Sequence, residues 1–213
     1  MKTDKILLPS VYLGTTQWYS KLIADKSLVI DQHEHYIKQT WRNRARIVGA
    51  NGIQDLVIPV HAPNHTAMKE VMINYSEDWQ RQHWQSIRSA YGNAPFFEYY
   101  ADYFAPFYSS KKSDLLIDFN TELLKLTFRL LKLTKEIFFS ESFIAENSDQ
   151  TDLRILISPK KNPADDPEFI SSEYMQVFNE RHGFIPNVSI IDLLCCEGPA
   201  ATEIILKSRK IKL

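Results

Sequence analysis

Residues 5–31 read KILLPSVYLGTTQWYSKLIADKSLVID, and their order decides the class of fold. Lys5 to Leu8 form a short apolar run stopped by Pro9, the pattern of a buried strand that runs into a loop. Thr15 or Thr16 can cap a helix over about residues 16–24, because a threonine hydroxyl accepts one of the backbone N–H groups that a first helical turn leaves unpaired. Trp18, Tyr19, Leu22 and Ile23 then share one face. Ser27 to Asp31 reads as a second buried strand. Strand, helix and strand at this spacing predict a parallel pair with a crossover helix, and such units hold ligands near the carboxyl ends of their strands. Asp31 stands at that end and opens the polar segment DQHEHYIKQTWRNR, residues 31–44.

The rest of the chain extends the same class. Residues 39–47 alternate, Ala50-Asn51-Gly52 carries a tight-turn signal, and Leu56 to Pro59 returns as the second arm of a hairpin. Period-two parity then groups Lys38, Arg42, Arg44 and Arg46 on one face, with Trp41 and Ile47 on the other. Trp79, His83, Trp84, Ile87 and Tyr91 follow a helical period that Gly92 ends. Pro95 opens an aromatic helix through Phe97, Tyr100, Phe104 and Phe107, kinked at Pro106. Leu116, Phe119, Leu123, Leu126, Leu130 and Leu133 mark a long core helix, with Ser113 placed to cap it. Residues 137–143 and 153–157 are read as short strands around the polar ENSDQTD, and residues 158–173 as a loop, mobile or covering a site. Helices over about 190–196 and after Gly198-Pro199 lead to the basic tail KSRKIKL. The expectation is one α/β domain over residues 1–213, with a mixed central sheet flanked by helices.

Composition narrows the partners. The formal net charge of −1 over 213 residues gives no global field for nucleic acid or a membrane surface, so anion binding has to come from a local cluster. The two cysteines, Cys195 and Cys196, are adjacent within an apolar run, which suits inert thiols in a reducing compartment better than a structural disulfide; a redox-sensing pair is the other reading. No stretch approaches the roughly 20 apolar residues of a membrane span, and the start MKTDKILLPS has too short an apolar run for a signal peptide. A cytoplasmic location without membrane insertion is expected.

Three chemistries compete for residues 31–44. Asp31, His33 and His35 would project together from an extended strand and could ligate a metal, against hydrogen-bonded histidines at a pocket rim. Lys38, Arg42, Arg44 and Arg46 could bind an anion, since guanidinium forks match carboxylate and phosphate, or could protect a hairpin edge from pairing. Trp41 and Asn43, interleaved with the cations just after a buried strand, tilt the choice toward a site. For proton transfer, His35, His61 and His83 are candidate bases, with Asp192, Glu197 or Asp118 to orient them; His83 lies on an apolar helical stripe and suits a core histidine better. No GxSxG elbow, HExxH, CxxC pair or phosphate-cradling glycine loop is present.

Several ordered motifs resemble the WbqC-like proteins of bacteria. They are Pro9, Tyr12-Leu13-Gly14, Asp31, His35-Tyr36-x-Lys38-x-x-Trp41-Arg42-Asn43-Arg44, Gly49-Ala50-Asn51-Gly52 and Leu56-Val57-Ile58-Pro59-Val60. Further matches are Trp79-Gln80-x-x-His83-Trp84, Tyr91-x-x-Ala94-Pro95-Phe96-Phe97, Phe119-Asn120 and the C-terminal Phe184-Ile185-Pro186-Asn187-x-Ser189-Ile190-Ile191-Asp192-Leu193-Leu194 with Glu197-Gly198-Pro199. The chain is similar to the shorter branch, lacking in residues 144–180 the glycine-rich segment of longer members. The resemblance implies a role in surface-polysaccharide biosynthesis of the O-antigen type and a transferase moving an acyl or aminoacyl group to an amino sugar; a non-catalytic scaffold of a glycan assembly complex is the alternative. On this reading His35 and Asp192 are the catalytic pair, while Tyr36, Lys38, Trp41, Arg42, Asn43, Arg44 and Asn187 hold an anionic substrate such as a nucleotide sugar or activated acyl donor. No metal or other cofactor is required.

Overall fold

The computed structural model describes residues 5–23, 27–145 and 151–210. The expected helix end at residue 24, most of the polar linker before Thr151 and the last three residues of the basic tail lie outside the described residues.

β1 (Lys5–Pro9), α1 (Thr16–Leu22) and β2 (Ser27–Asp31) form the expected unit, with the strands parallel and paired from Lys5 opposite Ser27 to Pro9 opposite Asp31. β3 (Arg44–Gly49) and β4 (Gly52–Val57) make an antiparallel ribbon turning at Ala50 and Asn51, where Gly52 takes a φ of 96° that an L side chain rarely adopts. β5 (Val60–His61) and β6 (Met72–Ile73) make a second, smaller ribbon. Three helices follow, α2 (Trp79–Tyr91), α3 (Phe97–Ser109) and α4 (Leu116–Leu130). The chain closes through β7 (Ile137–Phe139), β8 (Thr151–Asp152), α5 (Asn179–His182), α6 (Ile190–Glu197) and α7 (Ala201–Lys207). The central sheet has the order β7-β2-β1-β8 and is parallel throughout. Among the described residues, antiparallel strands pair in the two ribbons outside it, and isolated antiparallel bridges join other segments.

Several elements are shorter than the apolar pattern suggests, for identifiable reasons. Residues 39–43 are a turn, with Gln39 at a φ of 59°, so the ribbon starts only at Arg44. β7 stops at Phe139 because Ser140 turns its hydroxyl onto Asp31. The strand expected over residues 153–157 is absent, because Arg154 folds back on Asp152 and the Ile157 N–H closes a turn on the Leu153 carbonyl; β8 lies before it, at Thr151–Asp152. Ser113 does not cap α4; its Oγ accepts from Leu115 N and forms a local turn ahead of the helix. Residues 158–173 are strapped to α1 through Asp166, which is 1% exposed and accepts from Lys21 Nζ at 2.8 Å and Gln17 Nε2 at 3.0 Å.

The Tyr12-Leu13-Gly14 turn splices the N-terminus to the C-terminal helices. Leu13 sits at a φ of 43°, its carbonyl accepts from Ser189 Oγ, and the Gly14 carbonyl accepts from Ile190 N. A Cβ on Gly14 would lie 2.8 Å from Val11 Cγ2 and 3.1 Å from the Trp18 ring, so only glycine fits. At the start of α1, Thr15 Oγ1 accepts from Trp18 N and Asn187 Oδ1 from Gln17 N, so two of the free N–H groups of the first turn are satisfied. Among the described residues no helix is long and apolar enough to cross a membrane. Both cysteines are buried and free, and burial pushes their thiols well up, which disfavours the reactive thiolate.

His83, 5% exposed, lies on the apolar face of α2, where Tyr12 Oη contacts its Nδ1 at 3.0 Å and Tyr108 Oη at 2.8 Å. Burial lowers its pKa from 6.5 to about 4, against a backbone hydrogen bond at Val57 that pulls the other way. A folded-state pKa below the unfolded one means that the neutral ring's stabilising contribution is present above pH 6.5 and is lost as the pH falls toward 4. Urea denaturation from pH 7 to 4 is expected to show this loss, and His83→Gln should remove about one proton from the pH slope; an unchanged slope contradicts the assignment.

Candidate functional site

Asp31 is fully buried at the carboxyl end of β2 and organises the sheet's upper edge. Its Oδ1 accepts from Ser140 Oγ at 2.7 Å, His33 N at 2.9 Å and Glu34 N at 3.2 Å, and its Oδ2 accepts from Arg154 Nη1 at 2.5 Å. Arg154 also holds Asp152 through Nε and Nη2. Burial alone would raise the Asp152 carboxyl, but the Arg154 hydrogen bonds and charge outweigh it and hold it below the usual carboxylate range. Beside this network Arg42 grips Glu34 through Nε at 2.8 Å and through Nη2, both side chains almost wholly buried. Burial pushes the Glu34 carboxyl above its ordinary range even with Arg42 attached. Asn120 fixes the other end, donating to Ser10 Oγ after β1 and to the Arg42 carbonyl.

From this anchor residues 34–38 run as a wall against residues 66–68. Tyr36 N donates to the Thr66 carbonyl, Met68 N to the Glu34 carbonyl, and His35 pairs with Ala67. Side chains leave the wall on opposite sides, as extended backbone requires. Tyr36 and Lys38 face a cleft of about 510 Å³, which Gln39, Asn43, Arg44 and His61 also line, over an apolar floor from residues 57–60 and Ala62-Pro63. His35 and Ile37 face a separate cavity of about 230 Å³ with Glu34, Arg42 and Arg154.

The cleft is cationic in character. Lys38 and Arg44 line it and, among the described residues, no carboxylate does. Asp55 is shared by Arg44 at 3.0 Å and Arg46 at 2.9 Å, so one negative charge serves two guanidinium groups and positive charge is left over. Burial pushes the Tyr36 phenol up to about 12, with Arg42 and Arg44 pulling the other way, so it stands as a neutral donor. Asn43 Nδ2 donates to the Ile58 carbonyl, while Asn43 Oδ1 and Arg44 Nε, both buried, find no partner among the described residues. Both atoms are covered by protein, so they belong to the body of the cleft wall and not to its accessible lining.

The structure brings together Tyr36, Lys38, Asn43 and Arg44, and separates the other residues that sequence reading grouped with them. Arg42 points inward to Glu34 and not along a face with Lys38, Arg44 and Arg46. Trp41 is buried, with the Arg46 guanidinium 5.3 Å from its ring. Asn187 is spent on the start of α1. Asp192 is fully buried on α6, where Tyr91 and Tyr174 donate to its two oxygens and Gln176 adds a third bond; it lines neither cavity and does not meet His35. His35 lies edge-on to His65 and close to Phe143. Asp31, His33 and His35 do not converge, and among the described residues no group of three metal-type ligands forms. His61 joins the cleft although it lies outside residues 31–44; its place on a returning strand just after Pro59 was the available signal. Truncating Asp31 to alanine, which removes one of the two carboxylates that hold Arg154 and strands three donors, is expected to lower stability by about 3–5 kcal/mol in urea denaturation; a loss under about 1 kcal/mol contradicts the anchor.

Comparison with known proteins takes in the motifs from Tyr12-Leu13-Gly14 to Phe119-Asn120 and stops short of those over residues 184–199. The model of the WbqC-like protein family matches residues 10–163, which include the cleft, the Asp31 anchor and Arg154. The uncharacterized protein Rv1507c of Mycobacterium tuberculosis is 34% identical over 110 residues, 50% of this chain and 47% of that protein, so the chain spans about half the length of this curated relative. No solved structure matches. On the family match, over more than half its length, the chain belongs to the WbqC-like protein family.

Proposed function

We propose that the chain serves bacterial surface-polysaccharide biosynthesis of the O-antigen type as a cytoplasmic transferase, moving an acyl or aminoacyl group to an amino sugar, with the cleft holding the anionic part of its substrate. The observation that carries the anion site is the lining itself: Lys38 and Arg44 at a cleft of about 510 Å³ that no acid among the described residues lines. Its volume falls within the ~300–1,000 Å³ of small-molecule sites, large enough for a nucleotide sugar's diphosphate with part of its sugar or base. Lys38, Arg44 and the Tyr36 hydroxyl would bind phosphate or carboxylate oxygens, and cations preorganised in this way stabilise negative charge that develops during group transfer. His61 stands in the cleft as a proton acceptor of suitable type.

The scaffold reading has less to rest on. Of the aromatic run 96–108, Phe97, Phe104 and Tyr108 are buried in the core, which leaves Tyr99 and Tyr103 as the exposed large rings, and Arg129 covers one face of Tyr103.

Calorimetric titration with pyrophosphate, uridine diphosphate and nucleotide sugars is expected to show saturable binding that weakens with added salt. Arg44→Ala and Lys38→Ala should each weaken it by about 1.5–3 kcal/mol, the worth of a charged hydrogen bond. Absence of binding to any of these anions, or full affinity in Arg44→Ala, overturns the proposal.

A further inference from the structure

We infer that the cavity on the far side of the 34–38 wall is a second binding site, and that it takes a small zwitterion with an apolar side chain, of which an apolar α-amino acid is the simplest case. It lies outside the carboxyl ends of the parallel strands, lined by residues that follow β2, β7 and β8. That crevice is where open α/β sheets place ligands. Its volume of about 230 Å³ is below that of drug-sized sites and suits a molecule on the order of ten non-hydrogen atoms.

The lining divides into an apolar rim and a charged base. Ile37, Phe143 and Ile155 stand at the mouth with 45%, 59% and 51% of their surface exposed. One exposed apolar side chain is ordinary, but three around one opening form a patch that a ligand's hydrocarbon can cover. At the base, Glu34 uses each oxygen once on Arg42, and a carboxylate offers about four acceptor positions. Arg42 spends Nε and Nη2 on Glu34, while Nη1 donates to no described residue. An acceptor and a donor of opposite charge therefore remain side by side.

This pairing selects the ligand's charge. A simple anion would meet the Glu34 carboxylate, and Arg154 offers it little because Asp31 and Asp152 already neutralise that guanidinium. A simple cation would answer Glu34 alone and leave Arg42 Nη1 without an acceptor. A molecule carrying ammonium and carboxylate on one carbon answers both, with its ammonium on Glu34, its carboxylate on Arg42 Nη1 and its side chain among Ile37, Phe143 and Ile155. The cavity shares no lining residue with the cleft, so the inference stands on its own geometry.

The test is calorimetric or saturation-transfer binding of L-leucine and L-phenylalanine to the full chain, beside glycine, 4-methylpentanoate and 3-methylbutylamine, which lack the side chain, the ammonium and the carboxylate respectively. Leucine or phenylalanine is expected to bind at least about tenfold more tightly than the three truncated molecules. Phe143→Ala and Ile155→Ala, at exposed positions where folding is not at stake, should each weaken binding by about tenfold. Arg44→Ala should leave amino-acid binding unchanged while it weakens pyrophosphate in the cleft. The inference is overturned if neither amino acid binds at millimolar concentration, if a truncated molecule binds as well, if both rim variants keep full affinity, or if Arg44→Ala abolishes amino-acid binding.

Discussion

The Asp31 carboxylate is the constraint on which the upper edge of the molecule depends. It ends β2, receives Ser140 from just beyond β7 and Arg154 from just beyond β8, and fixes the first turn of the polar segment through His33 N and Glu34 N. One fully buried side chain thus joins three of the four parallel strands at their carboxyl ends. Burying that charge is expensive, and a network of this kind is stable only because every member is satisfied. Apolar residues could have closed the same edge at no loss of stability, so the charged arrangement fits a place where polar groups are needed at the surface above.

What the anchor holds is a thin wall. Residues 34–38 are pinned at the base by Asp31 and Glu34 and along their length by residues 66–68, and alternate side chains face a cationic cleft and a mixed, apolar-rimmed cavity. The consequence of this geometry is that neighbouring residues line different recesses. Tyr36 and Lys38 belong with Arg44 on one side, and His35 and Ile37 with Arg42 on the other. The two recesses differ in charge and are separated by a single stretch of backbone.

Much of this was legible in the sequence where local physics decides. β1, α1 and β2 follow from an apolar run, a threonine cap and a second apolar run, and Asn51-Gly52 marks the ribbon's turn. Strand parity correctly paired Arg44 with Arg46, which share Asp55. It failed at Arg42 because the chain is not extended there: Gln39 adopts positive φ, and the turn aims Arg42 at a glutamate eight residues earlier. Long-range pairings were out of reach for the same reason that they matter. Nothing local to Asp31 announces Arg154, 123 residues away, and nothing near Asp192 announces Tyr91. Asp192 and Asn187 stand out in the motif pattern, yet their atoms are spent on holding α6 and α1 in place.

The most direct measurement of the anchored wall is residue-resolved amide hydrogen exchange in the Asp31→Asn protein beside the unaltered chain. Loss of the carboxylate's charge loosens the grip on Arg154 and on the first turn, so exchange should accelerate at Glu34, Tyr36, Met68 and Lys69, whose N–H groups bind within the wall, and stay unchanged at Ile47 and Val48 in the ribbon. Equal acceleration over the whole domain, or protection unaltered at Glu34 and Tyr36, would contradict the view that Asp31 holds the wall between the two recesses.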